Sequence, residues 1–190
     1  MIKEQQLRNQ EYKTLLQRQE LQAQQRAVSL QQARRLAQYR YQQRYVDRLR
    51  DQRLALANSY DYNNDPYYYT APTYRYSRAG RSYQTNEYGA NQLRQAVNSG
   101  YEEGVRAAQA DREDGFRGDY RNSYAYQDAN YGYTGMYVAQ SDYNYYFREG
   151  FRRGYEDGYA SSNRYGSNSN GTLGILSTVL SAILNLQQLR

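Results

Sequence analysis

The residues of this chain that could perform acid–base chemistry or bind a hard cation are carboxylates, and they are concentrated in two segments. They are Glu102, Glu103, Asp111, Glu113 and Asp114 in the first segment, and Glu149, Glu156 and Asp157 in the second. Paired carboxylates can serve as general acid and base, and several together can bind Ca²⁺. Arginines stand three or four residues away from most of them, a spacing that favours ion pairs on a helix surface. Since no calcium-loop pattern of Asn and Gly accompanies them, we interpret these carboxylates as partners of arginines.

The 190 residues include no Cys and no His. This composition removes thiolate nucleophiles, disulfides, the usual zinc ligands and the commonest general base. We therefore predict a protein that is not an enzyme and that uses no cofactor, no metal and no small-molecule substrate.

The most regular pattern is a four-residue repeat of aromatic residues and glycines over residues 147–159. Its aromatic members are Phe147, Phe151, Tyr155 and Tyr159, and its glycines are Gly150, Gly154 and Gly158. A period of four fits a helix and does not fit a strand. Each helical Gly costs about 1 kcal/mol relative to Ala, so three in register indicate that another element packs closely against them.

A second copy of this pattern occurs upstream, within residues 91–117. Gly100, Gly104 and Ala108 form a row of small residues beside Tyr101, and residues 101–104 and 112–115 match residues 147–150 and 155–158. We read this as a degenerate internal duplication. Two helices with rows of small residues can approach closely, and we predict that they pack antiparallel.

The doubled pattern also carries a family resemblance. Gly-Tyr-x-x-Gly followed by Arg-Glu-Asp-Gly at 100–115, and Tyr-x-x-x-Gly-Phe-x-x-Gly-Tyr-Glu-Asp-Gly-Tyr at 146–159, resemble uncharacterised Tyr/Gly/Arg-rich proteins of soil bacteria such as acidobacteria. The resemblance covers roughly residues 91–160 and implies no activity. Its members look exported, which implies an extracytoplasmic or cell-envelope location and a removed leader, because the start of this chain lacks an apolar leader segment.

The rest of the chain completes a mainly α fold. Residues 1–58 lack Gly and Pro and predict one long, possibly bent helix. Residues 59–90 read as a Tyr- and Pro-rich linker, either an extended strap or a short strand near residues 74–76. Within the duplicated domain, 91–160, the connection 118–138 predicts a short helix around 120–129 that ends at its glycines. Residues 161–171 read as a flexible hinge, and residues 172–190 as an amphipathic helix.

The N-terminal helix holds the positive charge, since residues 1–58 carry a net charge of +7 and the remainder −1. Its most basic part includes Arg34, Arg35, Arg40, Arg44 and Arg48, interleaved with tyrosines. Arg and Tyr together could bind a nucleic acid or another polyanion, or could stack on each other and on a neighbouring helix. We favour the second interpretation because no nucleic-acid-binding motif accompanies them.

The same helix does not show a clean coiled-coil pattern. One heptad phase contains Leu7, Leu21, Val28, Leu49 and Leu56, and Thr14, Arg35 and Gln42 interrupt it. A coiled coil needs two apolar stripes three or four residues apart. We therefore expect this helix to contact different partners along its length.

The C-terminal segment is the most apolar, and its face includes Leu173, Leu176, Leu180, Ile183 and Leu184. At about 17 residues with a polar stripe it is short for a bilayer of ~30 Å. We expect it to dock on the protein or to contact other copies, with a membrane surface as an alternative. These features together predict a structural, self-assembling homo-oligomer, and the alternative is an Arg/Tyr-rich protein that binds nucleic acid or another polyanion.

Overall fold

The structure, a computed structural model, describes residues 2–56, 61, 63–169 and 172–189. In this part of the chain the fold is mainly helical, as predicted. The helices are α1 (Ile2–Gln32), α2 (Leu36–Leu56), α3 (Glu87–Glu113), α4 (Tyr124–Asp128), α5 (Gln140–Ala160) and α6 (Ser177–Leu184). The strands are β1 (Tyr74–Arg78), β2 (Arg81–Thr85), β3 (Gly166–Ser169), β4 (Thr172–Ile175) and β5 (Gln187–Gln188).

The predicted single helix over 1–58 is wrong, because the chain reverses after α1. Arg34 adopts a left-handed conformation (φ 57°), and the N–H of Arg35 donates to the carbonyl of Leu30 over 2.9 Å, which closes α1. The carboxylate of Asp114 then accepts the N–H groups of Ala37 and Gln38 at 2.8 and 2.9 Å. A residue from the end of α3 thus caps the start of α2. Residues 57–58 lie outside the described residues.

Helices α1 and α2 pack against each other as an antiparallel hairpin. The inner row of α1 is buried and comprises Gln5, Tyr12, Leu16, Ala23 and Ala27. Gln42 of α2 donates to the carbonyl of Ala23 over 2.7 Å. Gln52 donates to the hydroxyl of Tyr12 over 2.9 Å and to the carbonyl of Tyr133 over 2.7 Å, so it joins the hairpin to the connection before α5.

The linker contains the strand expected near residues 74–76, together with a second strand. A 3-10 helix (Pro66–Tyr69) precedes β1, and β1 pairs antiparallel with β2, with Tyr74 opposite Thr85. Helix α3 begins at Glu87 rather than at residue 91. The cause is Asn86, whose side chain accepts the N–H groups of Tyr88 and Gly89.

Helices α3 and α5 form the centre of the molecule and run parallel to each other. Gly100 meets residues 147–151, and Gly104 meets residues 151–155, so both helices advance in the same direction. The predicted pair is present, but the predicted antiparallel orientation is wrong. Residues 114–139 cross back along the pair, through a 3-10 helix (Tyr120–Asn122) and α4. Helix α4 ends at Ala129, which takes a left-handed conformation (φ 55°), and not at the glycines that follow.

The C-terminal segment is not the single amphipathic helix that we predicted for 172–190. Strand β3 takes residues 166–169 of the predicted hinge 161–171 and pairs antiparallel with β4, while residues 170–171 lie outside the described residues. Helix α6 follows and ends at Asn185, which has φ 43°. Strand β5 then pairs with β1. The run of apolar residues in this segment does not show where β4, α6 and β5 begin and end, because each of the three packs on a different neighbour.

Candidate functional site

The contact between α3 and α5 is built on glycines, and the backbone of the opposite helix packs directly against them. A methyl group on Gly104 would overlap the carbonyl oxygen of Phe151, and one on Gly154 would overlap that of Tyr101. Both distances would lie far below 3.0 Å, and real Cβ atoms essentially never come that close to another atom. Gly100 and Gly150 make the same contacts one turn earlier. Residue i of α3 therefore faces residue i + 50 of α5, and the offsets of 46 and 43 read from the sequence are not the structural correspondence.

Aromatic rings close the flanks of this contact. Tyr101, Phe147, Phe151 and Tyr155 are at most 5% exposed. On α5 the rings of Phe147, Phe151 and Tyr155 stack along one face, with successive centroids 6.3 and 6.4 Å apart. Ala108 is buried against Gly158, so the structure brings together both rows of small residues and the rings of Tyr101, Phe147, Phe151 and Tyr155, whereas Tyr159 is 37% exposed.

Among the described residues, five buried carboxylates each accept a hydrogen bond from a tyrosine hydroxyl in a distant part of the sequence. The pairs are Tyr41–Glu103, Tyr45–Asp128, Tyr76–Asp142, Tyr101–Asp157 and Tyr155–Asp111. Two of them link α3 and α5 reciprocally, since Tyr101 of α3 donates to Asp157 while Tyr155 of α5 donates to Asp111. The sequence analysis predicts arginine partners on the same helix for three of these acids, Glu103, Asp111 and Asp157, and no spacing in the sequence points to the tyrosines.

Burial is the main physical influence on these pairs. It raises the pKa of Tyr41 and of Tyr45, and the neighbouring carboxylates raise both pKa values further. Burial also raises the pKa of Asp128 and of Asp111, although hydrogen bonds from Tyr45 and Tyr155 partly oppose this. The phenols therefore remain neutral donors, which is the form that a buried carboxylate requires.

Asp157 has the most complete set of donors. Its carboxylate accepts the N–H groups of Arg164, Tyr165 and Gly166 at 2.9, 2.8 and 3.1 Å, in addition to the hydroxyls of Tyr101 and Ser162. Asp157 thereby fixes the chain between α5 and β3. These donors are occupied by a carboxylate of the chain itself.

The predicted arginine–carboxylate pairs within a helix are confirmed for the half-buried acids Glu102, Glu149 and Glu156, whereas the exposed Glu113 pairs with Arg40 of α2. Arg106 contacts Glu102 at 3.0 Å, and Arg153 contacts Glu149 at 2.7 Å. Glu103 is fully buried and forms the predicted pair with Arg106 of its own helix at 2.7 Å, and it also binds Arg48 of α2 at 2.6 Å.

Three of the five arginines considered for polyanion binding are engaged within the chain. Arg35 pairs with Asp111, Arg40 with Glu113, and Arg48 with Glu103. Arg35 also lies 3.7 Å from the ring centroid of Phe116, and Arg48 lies 5.3 Å from that of Tyr131. Arg35 and Arg48 therefore stack within the chain, on rings of connecting segments rather than on a neighbouring helix. Arg34 and Arg44 are exposed, and neither forms an ion pair with another described residue.

The apolar residues of the C-terminal segment dock on the molecule. Leu173 lies half-buried in β4, and Leu180 and Ile183 of α6 are half-buried against the core. Leu184 is 2% exposed, which agrees with the docking alternative and leaves this side chain out of any contact with another copy. Leu176 is 39% exposed and remains available at the surface.

A row of exposed, uncharged residues lies elsewhere, on the side of α1 that faces away from the inner row. We define the outer row of α1 as Leu7, Gln10, Thr14, Gln17, Leu21, Gln24, Val28 and Gln31, all exposed and none charged. Leu7, Leu21 and Val28 are 57%, 64% and 52% exposed. An open groove of about 550 Å³ runs beside its first half, lined in part by Leu7, Glu11 and Arg18. The sequence shows the heptad phase of residues 7, 14, 21 and 28. Because Leu49 and Leu56 share this phase, the sequence does not show that the exposed row is confined to α1.

Among the described residues, no group of three or more carboxylates is placed to hold a metal ion. No helix in that part of the chain has the length and apolar character that a transmembrane span requires.

Comparisons with known proteins found no match for the chain. Its sequence matches no protein-family model, and neither the curated proteins nor the solved structures contain a significant match. The resemblance to Tyr/Gly/Arg-rich proteins of soil bacteria therefore stays an expectation.

Proposed function

We propose that this protein is a non-catalytic structural protein that self-associates through the outer row of α1. The observation that carries the proposal is the exposure of Leu7, Leu21 and Val28 on one face of one helix. Isolated exposed apolar residues are ordinary on protein surfaces, but these three lie in one row of exposed, uncharged side chains on a single helix, a surface that another helix could cover.

The remaining features support a structural role. The buried carboxylates hold tyrosine hydroxyls and backbone N–H groups, and three of the five candidate arginines hold carboxylates. These groups stabilise the fold, which leaves less chemistry for catalysis or for binding a polyanion. We therefore favour self-association over the nucleic-acid alternative.

The test is the molar mass in solution, measured by size-exclusion chromatography with light scattering over a hundredfold range of protein concentration. We expect the mass to rise above the 22.4 kDa of one chain as the concentration increases. Leu21→Glu should keep the protein at 22.4 kDa at all concentrations, because it places a charge in the middle of the outer row.

The matched control is Leu176→Glu, which makes the same change at the exposed position of the C-terminal segment. It should associate like the unmodified chain, and circular dichroism should show the same helix content for both variants. A mass of 22.4 kDa for the unmodified chain throughout would contradict the proposal. Loss of association in Leu176→Glu alone would move the contact to the C-terminal segment.

A further inference from the structure

The outer row of α1 has the spacing of a helix–helix seam. Its members alternate three and four residues apart from Leu7 to Gln31, which is the a/d spacing of a coiled coil, with Leu7, Thr14, Leu21 and Val28 at the a positions and four glutamines at the d positions. The row extends for about 36 Å at 1.5 Å per residue. All eight members are uncharged, so the row can be covered without burying a charge.

Charged residues flank the row on both sides. Glu11 and Arg18 lie on one flank, both exposed, and neither forms an ion pair with another described residue. Lys13 and Glu20 lie on the other flank, and Glu20 is 24% exposed while it also binds Arg50 and Arg53 of α2. In heptad terms the first pair occupies e positions and the second pair occupies g positions.

We propose that two copies of the chain associate through α1 in antiparallel orientation, with Glu11 of each copy against the partner's Arg18. The inference rests on the proposed function and specifies its geometry. Its basis is the charge pattern, because a parallel pair of helices brings each g residue to the e residue of the next heptad. Lys13 of each copy would then face the partner's Arg18, so a pair of positive charges would meet on each flank of the contact.

An antiparallel pair instead brings e residues to e residues and g residues to g residues. When residue numbers across the contact sum to 31, Leu7 faces the partner's Gln24, and Gln10 faces the partner's Leu21. Glu11 then approaches the partner's Arg18, and Lys13 approaches the partner's Glu20. Each contact occurs twice by the two-fold symmetry.

The same charges select this register among the neighbouring ones. A shift of one heptad in one direction brings Arg18 to the partner's Arg18 and Glu20 to the partner's Glu20. A shift in the other direction brings Glu11 to the partner's Glu11 and Lys13 to the partner's Lys13. Like charges opposed across a contact disfavour both shifts.

Cysteine cross-linking can test the orientation cleanly, because the chain contains no Cys. Leu7→Cys and Gln24→Cys are prepared separately, mixed, and oxidised under mild conditions. We expect the mixture to form a disulfide-linked heterodimer rapidly. Leu7→Cys alone should cross-link at least tenfold more slowly, since its two copies would lie about 25 Å apart along the helix axis.

Charge reversal gives an independent readout by light scattering. Glu11→Arg should weaken association at least tenfold, and Glu11→Arg combined with Arg18→Glu should restore it. The inference is overturned if the chain associates but Leu7→Cys cross-links to itself as fast as the mixture does, or if the double reversal fails to restore association. A monomeric chain at every concentration would instead overturn the proposed function itself, so the two failures are distinct.

Discussion

Tyr45 donates a 2.6 Å hydrogen bond to the carboxylate of Asp128 in the interior of the molecule. Tyr45 is fully buried and Asp128 is 4% exposed. The other donors to this carboxylate are the backbone N–H and side-chain amide of Asn130, both at 3.1 Å. No arginine among the described residues forms an ion pair with Asp128, so the phenol is the main replacement for the water that burial removed.

Tyr45→Phe should therefore lower the free energy of unfolding by about 1.5–3 kcal/mol, since it leaves a buried carboxylate short of a donor. Urea denaturation followed by circular dichroism measures the change. Tyr145→Phe is the matched control, because Tyr145 is 38% exposed and its hydroxyl has no hydrogen-bond partner among the described residues. Equal effects of the two substitutions would contradict the role of the Tyr45–Asp128 pair.

The buried phenols predict a loss of stability at alkaline pH. Burial raises the pKa of Tyr41, Tyr45 and Tyr76 above the unfolded value of about 10, and nearby carboxylates raise it further. Groups with a raised folded pKa contribute fully below the unfolded pKa and lose that contribution as the pH rises through the folded value.

We thus expect the contribution of these phenols to be constant from about pH 7 to 9 and to fall above about pH 10. Urea midpoints at several pH values give the stability, and absorbance at 295 nm reports tyrosinate formation. Ionisation of all tyrosines near pH 10 in a chain that stays folded would contradict the prediction.

Substitutions in the glycine row should have graded effects. Gly154→Ala places a methyl group on the carbonyl of Tyr101 and should cost about 3 kcal/mol, because backbone atoms of both helices must separate. Gly158→Ala places it 2.8 Å from the carbonyl oxygen of Val105, a milder overlap that should cost about 1–2 kcal/mol.

Gly174→Ala is the control for this series, since its methyl group would meet no atom within 4 Å. It should change the free energy of unfolding by less than about 0.5 kcal/mol. Thermal or urea denaturation ranks the three variants, and a cost at Gly174 equal to that at Gly154 would argue against the close contact.

Arg48 offers a prediction that separates a structural role from polyanion binding. Glu103 is fully buried between Arg48 and Arg106, so Arg48→Met should destabilise the fold by about 3 kcal/mol. Arg44→Met, one turn earlier on the exposed side of α2, should leave stability within about 0.5 kcal/mol. Denaturation of both variants is the measurement, and a stable Arg48→Met would show that this ion pair does not support the core.

The pairing of two glycine-rich helices was predictable because a four-residue period requires a helix and because glycines are costly without a close neighbour. The direction of α5 was not predictable from that row, since glycines allow backbone approach in either orientation. The connection decides it, and residues 114–139 are long enough to return along α3. The short 3-10 helix and α4 occupy that path.

The break between α1 and α2 was also hidden from the sequence. Residues 33–35 contain no Gly or Pro, and Arg34 takes a left-handed conformation without either. The stabilising contact is tertiary, since Asp114 caps α2 from the end of α3. The tyrosine–carboxylate pairs are hidden for the same reason, because their members lie 44 to 83 residues apart.

The parallel direction of α3 and α5 has a consequence for synthesis on the ribosome. Gly100 and Gly150 occupy matching positions fifty residues apart, and elongation at about 5–20 residues per second takes roughly 3–10 s to cover that interval. Throughout this delay the nascent α3 has no partner for its glycine face, and isolated helices that contain glycine are marginal in water. Translation that stops before residue 158 therefore releases a polypeptide that lacks part of its central pair.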